Sequence, residues 1–320
     1  FILGDLNKAI ELLANTKKTR SDKRYVSLDV AYGIRARVHL TMHNYADALK
    51  DAEAALASTS SVPYSSAAVS KPTFIDIEDA SWMWGILITD KDRVSTTGIC
   101  NFPSHMGSLN YGYASVGGWR RISPKLYNQI PESDVRKGWF LDDTGVSVNL
   151  PAAAQAYITK KGAPVYTQVK YGPMNDEWGS NNNATDVILM RVEEMYLIKA
   201  EAQAMNNDVS GGVNTLNSFV NTYRDPSYKC TATTGEAVQE AVWHQRRIEF
   251  WGEGLAYFDI MRLNKGVNRL GCGFPKTAVF NIAAGDPVQI YSIPNKEVQY
   301  NPLLENNPLV SAPTPIPDEE

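Results

Sequence analysis

Ile2, Leu6, Ile10 and Leu13 recur every three or four residues, a spacing that puts them on one face of a short helix. A polar link over 15–25 follows. Ser27 stands where a cap is needed for a second helix, predicted from about 28 to 42, and a third is predicted from about 45 to 56, ended by a serine-rich run and Pro63. The connection between these two helices is only two or three residues long, which makes them antiparallel neighbours. From Ser58 to about Asp186 the pattern changes. Pro63, Pro72, Pro103, Pro124, Pro131, Pro151, Pro164 and Pro173, together with glycine steps, rule out long helices. Short helical or strand pieces are predicted at 75–87, 116–129 and 157–170, packed as an irregular lobe on a helical frame.

Helical periodicity returns at Asp186. Val187, Met190, Glu194, Leu197 and Glu201 line one side of a helix ending near Asn206. After Gly211 and Gly212, the stripe Val213, Leu216, Phe219 and Val220 marks its partner. A third pair is predicted over 236–265, broken at Gly252 and Gly254. A tail over 288–320 opens with the strand-like VQIYSIP. Ala36, Ala48, Ala52 and Ala55 are small where facing helices must approach, and Tyr45 opens the second helix of its pair, a spacing that matches tetratricopeptide hairpins. The expectation is therefore a mainly α, single-domain chain, with helix pairs at about 28–57, 187–224 and 236–265 and a loop-rich insertion at 58–186.

Composition narrows the function classes. Thirty-one basic against 35 acidic residues leave a formal charge of −4, so no global attraction for nucleic acid exists. Cys100, Cys230 and Cys272 are too few and too dispersed for a disulfide scaffold. No apolar run reaches the roughly 18 residues of a membrane span, and the first residues lack the pattern of a signal peptide.

The stretches RVEEMYLIKAEA (191–202), QRRIEFWGEG (245–254), YFDIMR (257–262) and SIPNKEVQYNP (292–302) are specific in order and separation. They resemble the C-terminal half of the SusD/RagB family. The resemblance implies a surface-exposed lipoprotein of the Bacteroidetes outer membrane that captures oligosaccharides, or in some members peptides, beside a TonB-dependent transporter of the SusC type. It implies no catalysis, cofactor or metal. It also implies that the lipidated N-terminal cysteine and a preceding helical segment lie outside this chain, so that membrane attachment is not through the residues present. Gln245 stands where an acidic residue is usual in the family, and Ala256 where an arginine often follows, so each is expected to remove one ion pair.

The richest ionisable cluster is Glu194, Glu201, Glu249, Glu253 and Asp259 beside Arg191, Arg246, Arg247 and Arg262. A glycoside hydrolase needs two carboxylates about 5 to 10 Å apart, one with a raised pKa. Carboxylates paired to arginine keep low pKa values and donate protons poorly, so a structural ion-pair network is the expected role. His39 and His43, four apart on a helix, have the spacing of two metal ligands, but Leu40 occupies the position of the glutamate in a HExxH zinc site. Trp82, Trp84, Tyr111, Tyr113 and Trp119, with Arg120 as a donor, are the expected ligand contacts, with Trp139 and Trp178 as further loop aromatics. Sugar C–H faces stack on flat, stiff aromatic rings, and loops on a rigid frame commonly carry such sites. The competing role for every one of these rings is the core of the lobe. A peptide groove along the helix pairs is the remaining alternative.

Overall fold

The computed structural model describes residues 1–16, 19–92, 95, 101–308 and 310–316. They form two compact units, 1–122 with 126–254 and 123–125 with 255–320, where the sequence suggested one domain. The first unit opens with α1 (Ile2–Asn15), α2 (Leu28–Thr41) and α3 (Tyr45–Ser58). The chain reverses between α2 and α3 at His43, whose φ of 60° lies in the left-handed region. Ala36, Ala48, Ala52 and Ala55 are fully buried, which lets the two helix backbones approach. Arg35 Nε and Nη2 then grip both oxygens of Asp51 at 2.7 and 2.6 Å, a two-point clamp that sets the pair's register.

The proline-rich stretch holds the short helices α4 (Ser66–Val69), α5 (Phe102–Met106), α6 (Pro124–Tyr127) and α7 (Ala152–Lys160), with β1 at Trp82–Ile86. β2 (Val187–Arg191) pairs antiparallel with β1, Trp82 opposite Arg191 and Ile86 opposite Val187. This corrects the helix expected from Asp186. The helical periodicity there does hold, but it begins one strand later, at α8 (Val192–Met205). Asp186 holds the strand's start by accepting the backbone N–H groups of Ile77 and Ile88, both at 2.7 Å, and the β-branched Val187 and Ile188 suit a ladder. α9 (Val209–Tyr223), capped by the Asp208 carboxylate at Gly211, packs on α8. α10 (Gly235–Glu249), capped by Thr234, packs on both.

The expected third pair over 236–265 divides between the units, since α11 (Ala256–Arg262) belongs to the second. That unit also holds the two-residue strands β3 (Val267–Asn268) and β4 (Asn281–Ile282), paired antiparallel, and α12 (Asn295–Tyr300). The strand expected at VQIYSIP is absent among the described residues. Pro287 fixes a helical φ, and Asp286 caps a single turn over Pro287–Gln289.

A buried charge network joins the lobe to the helices. Four basic side chains, Arg136, Lys170, Arg191 and Arg224, meet four carboxylates, Asp134, Glu193, Glu249 and Glu253, so the group is neutral as a whole. Glu249 receives three guanidinium groups: Arg224 at 2.7 and 2.8 Å, Arg191 at 3.0 Å and Arg136 at 3.2 Å. Burial by itself raises the pKa of Glu249, but Arg224, Arg191 and Arg136 more than reverse this and hold the carboxyl well below its usual 4.5. Glu253 is likewise held down, by Arg191 at 2.8 Å and Lys170 at 2.6 Å, against the effect of burial. Gln245 keeps a place in the network by accepting from Arg136 Nη2 at 2.5 Å. A neutral carbonyl thus occupies the position where the resemblance led to the expectation of an acid.

The other charged residues of the expected cluster make the following contacts. Glu194 accepts both nitrogens of Arg37 on α2, at 2.8 and 2.5 Å, with Arg246 4.0 Å away. Glu201 accepts from Gln239 at 2.9 Å, and the Arg247 guanidinium lies over the Trp243 ring at 4.9 Å. Asp259 and Arg262 pair with each other on α11 at 2.8 Å.

Glu249→Gln leaves buried guanidinium groups without their counter-charge and should destabilise the protein by about 3–5 kcal/mol. Urea unfolding checks this, and a loss below about 1 kcal/mol would contradict the role assigned to the network. A carboxylate with a depressed folded pKa contributes stability above its unfolded pKa and loses it as pH falls through the folded value. Unfolding followed from pH 7 downward should therefore show stability held near neutrality and falling below about pH 4.5.

Candidate ligand-binding surface

The loop after α5 is tightly tied. Gly112 lies against Ser104, so a Cβ there would fall 2.7 Å from Ser104 Oγ, and only glycine fits without displacement. Ser104 Oγ accepts from the Tyr113 backbone N–H at 2.9 Å. On the other side, Tyr111 N donates to Ser180 O and Gly179 N donates to Leu109 O, both at 2.8 Å. Beneath, Gln168 reaches Met106 O and Ser108 Oγ, and the Asn110 and Asn183 side chains bond to each other.

On this pinned turn Tyr111 and Tyr113 flank Gly112 and remain 48% and 43% exposed. Each carries a cation. Lys161, just beyond the end of α7, places Nζ 5.4 Å from the Tyr111 ring centre and 5.7 Å from that of Tyr157. Arg120 places its guanidinium 5.7 Å from the Tyr113 ring centre. His105 stacks on Tyr113 at 4.7 Å, and its Nδ1 lies 3.3 Å from Arg120 Nη2. Tyr157 is oriented by its hydroxyl, which donates to Asn110 O at 3.2 Å.

The structure thus brings Tyr111, Tyr113 and Arg120 together and adds His105, Tyr157 and Lys161, which the sequence reading missed. Their one sequence signal is weak, a Lys160–Lys161 pair before a turn glycine. Trp119 stands beside Arg120 in the chain but packs its ring against the buried cluster of Leu109, Leu141, Ala154, Ile158 and Val169. Trp84 is half-buried against the helical core, its indole N–H donating to Arg24 O at 3.2 Å.

Trp82 is corrected outright: it is fully buried, its indole N–H donates to the Tyr64 hydroxyl at 2.9 Å, and it faces no solvent. Its place in β1 opposite Arg191 turns it into the aromatic core around the charge network. Trp139 is sealed in the same core, with Lys170 Nζ 4.8 Å from its ring and 4.5 Å from Phe74.

A concavity of about 520 Å³ elsewhere is lined by Tyr127, Tyr166, Lys137, Asp142, Asp143 and Asn149 among others. The two tyrosine rings lie 5.1 Å apart. Burial, and then Asp142, Glu132 and Asp143, push the Tyr127 hydroxyl up to about 12, so it stays a donor in acidic surroundings.

Among the described residues no group of three or more His, Cys, Asp or Glu is arranged to hold a metal ion. His39 Nε2 lies 3.8 Å from Asp51, and His43 stacks on Tyr45 at 5.8 Å. No helix among the described residues is long and apolar enough to cross a membrane.

Helix hairpins carrying a loop-rich lobe, with charge inside and tyrosines outside, define a class of scaffold, and the sequence places the chain within it. Residues 136–309, more than half of the chain, match the SusD family, and the chain belongs to that family. Solved structures agree in fold. A SusD superfamily protein from Bacteroides thetaiotaomicron is 21% identical, with a TM-score of 0.75 over 96% of this chain and 65% of that one. A SusD superfamily protein from Bacteroides vulgatus is 19% identical, with a TM-score of 0.73 over 96% and 64%. A SusD-like carbohydrate binding protein from Bacteroides vulgatus is 24% identical, with a TM-score of 0.65 over 92% and 54%. The chain therefore spans between half and two thirds of the length of these proteins. No protein of curated function matches it.

Because Trp82 is sealed, Trp82→Ala should cost about 3–5 kcal/mol in chemical denaturation. Tyr111→Ala, on the surface, should stay within about 0.5 kcal/mol of the parent. Equal effects in the two variants would contradict their assigned places.

Proposed function

We propose that this chain is the glycan-holding part of a surface-exposed outer-membrane lipoprotein, which captures oligosaccharides without chemistry and passes them to a TonB-dependent transporter of the SusC type. The observation that carries this reading is the Tyr111–Tyr113 turn. Two half-exposed rings sit on a loop held from both sides by hydrogen bonds, with an ammonium group over one and a guanidinium group over the other. Stiff rings on a fixed loop lose little entropy when a sugar face settles on them, and the flanking donors suit ring hydroxyls.

Family membership and the likeness to a SusD-like carbohydrate binding protein support the same reading. The carboxylates argue against hydrolysis as the task of the motif residues: Glu249 and Glu253 are held ionised by basic neighbours, the opposite of what a general acid requires. Capture for transfer calls for modest affinity, since affinity resides largely in the dissociation rate and a ligand held for long is passed on slowly.

The test is glycan binding by the intact protein with Tyr111 and Tyr113 both changed to alanine. Affinity for whichever oligosaccharide the parent binds should fall about tenfold or more with the melting temperature unchanged. Unaltered affinity would move the site elsewhere, and release of cleaved sugar by the parent protein would replace capture with catalysis.

A further inference from the structure

Two stretches of the chain contain no acidic residue. Residues 101–131 carry Arg120, Arg121 and Lys125, and residues 144–175 carry Lys160, Lys161 and Lys170. Against a whole-chain excess of acid, 35 residues to 31, this is a marked separation of charge. The fold joins the two stretches at the tyrosine turn. Tyr157 bonds Asn110, Gln168 bonds Ser108, and Lys161 lies over Tyr111.

The cations left there are not consumed internally. Lys170 is spent on Glu253, and Arg121 donates to Val165 O. Among the described residues, the side-chain contacts of Arg120 are with His105 and Tyr113, and those of Lys161 are with Tyr111 and Tyr157. Among the described residues, no carboxylate pairs with either charge. Asp176 and Glu177, exposed on the loop that pairs with Leu109 and Tyr111, are the acidic groups on the facing element, and neither makes an ion pair with Arg120 or Lys161.

A cation resting on a tyrosine face is attracted by the ring but keeps its charge available, because the ring contributes a quadrupole and no counter-ion. Two such cations, one on each side of Gly112, form a fixed frame for anionic substituents. The exposed parts of the rings remain for the sugar itself. Neutral sugars make little use of unpaired charge, whereas a carboxylate or sulfate oxygen turns each contact into a charge-assisted hydrogen bond.

We propose that the Tyr111–Tyr113 surface selects acidic glycans, those bearing uronate or sulfate groups, with Arg120 and Lys161 pairing to the anionic substituents. This rests on the glycan-capture reading and specifies its substrate class.

The experiment uses the intact protein on an array of neutral, uronate-bearing and sulfated oligosaccharides, followed by calorimetry on matched pairs. Oligogalacturonates are compared with their methyl esters, and carrageenan oligosaccharides with neutral agarose oligosaccharides, which separates uronate from sulfate as the source of charge. The expected result is that array hits are acidic and that neutralising the bound glycan weakens it at least about tenfold. Affinity should also drop as salt rises. The double variant Arg120→Gln with Lys161→Gln should lose the preference for the acidic partner of each pair at unchanged melting temperature.

Hits confined to neutral glycans, equal affinity for the acidic and neutral partners of each pair, or a preference that survives the double variant would overturn the selection for acidic glycans while leaving glycan capture standing. No binding to any glycan on the array would overturn both.

Discussion

The structure depends on the neutral group of buried charges in which Glu249 sits between Arg136, Arg191 and Arg224. Isolating any of these ions in the interior costs several kcal/mol, so each requires its partners in place. Those partners come from segments as far apart as 134–136, 191–193, 224 and 249–253. Strand β2, the end of α9, the end of α10 and the turn at Arg136 must therefore dock together. A network of this kind adds less stability than a hydrophobic core of the same volume. What it supplies is registry, since a shifted helix would leave a charge buried alone.

The same constraint shapes the surface. Arg191, Glu249 and Glu253 of the motif stretches are turned inward, and Phe74, Trp139 and Tyr171 close around Lys170. On the lobe's loops, hydrogen bonds of the backbone to Ser104, Ser180 and Leu109 hold two tyrosines in fixed positions. Order there comes from hydrogen bonds rather than regular secondary structure, which is how a proline-rich segment holds its rings in place.

Charge is also divided within the lobe. The tyrosine turn is bordered by Arg120 and Lys161, while the concavity around Tyr127 and Tyr166 collects Glu132, Asp142 and Asp143 around Lys137, which lies over the Tyr127 ring and pairs with Glu132. Two tyrosine pairs of opposite electrostatic setting therefore stand on one scaffold, and their ring chemistry alone does not distinguish them. The surrounding ions do, because an anionic group gains attraction at one and meets repulsion at the other.

Much of the frame was legible in the sequence. The alanine spacing at 36, 48, 52 and 55, the polar breaks and the stripe from Val187 to Glu201, helical from Val192 onward, follow a period that is local, so a single sequence carries it. Arg191, Glu249 and Glu253, three of the nine charged residues expected to form internal pairs, are joined by ion pairs through Arg191. Tertiary structure decided the rest. Val187–Arg191 carries apolar residues compatible with either period, and only pairing with β1 makes it a strand. Trp82 and Tyr111 are both aromatics in an irregular segment, and nothing local separates them. One lies opposite Arg191 and is sealed, whereas the other is held outward by Ser180. Which way a loop side chain faces is fixed by contacts many tens of residues away, and no pattern of neighbouring residues encodes that.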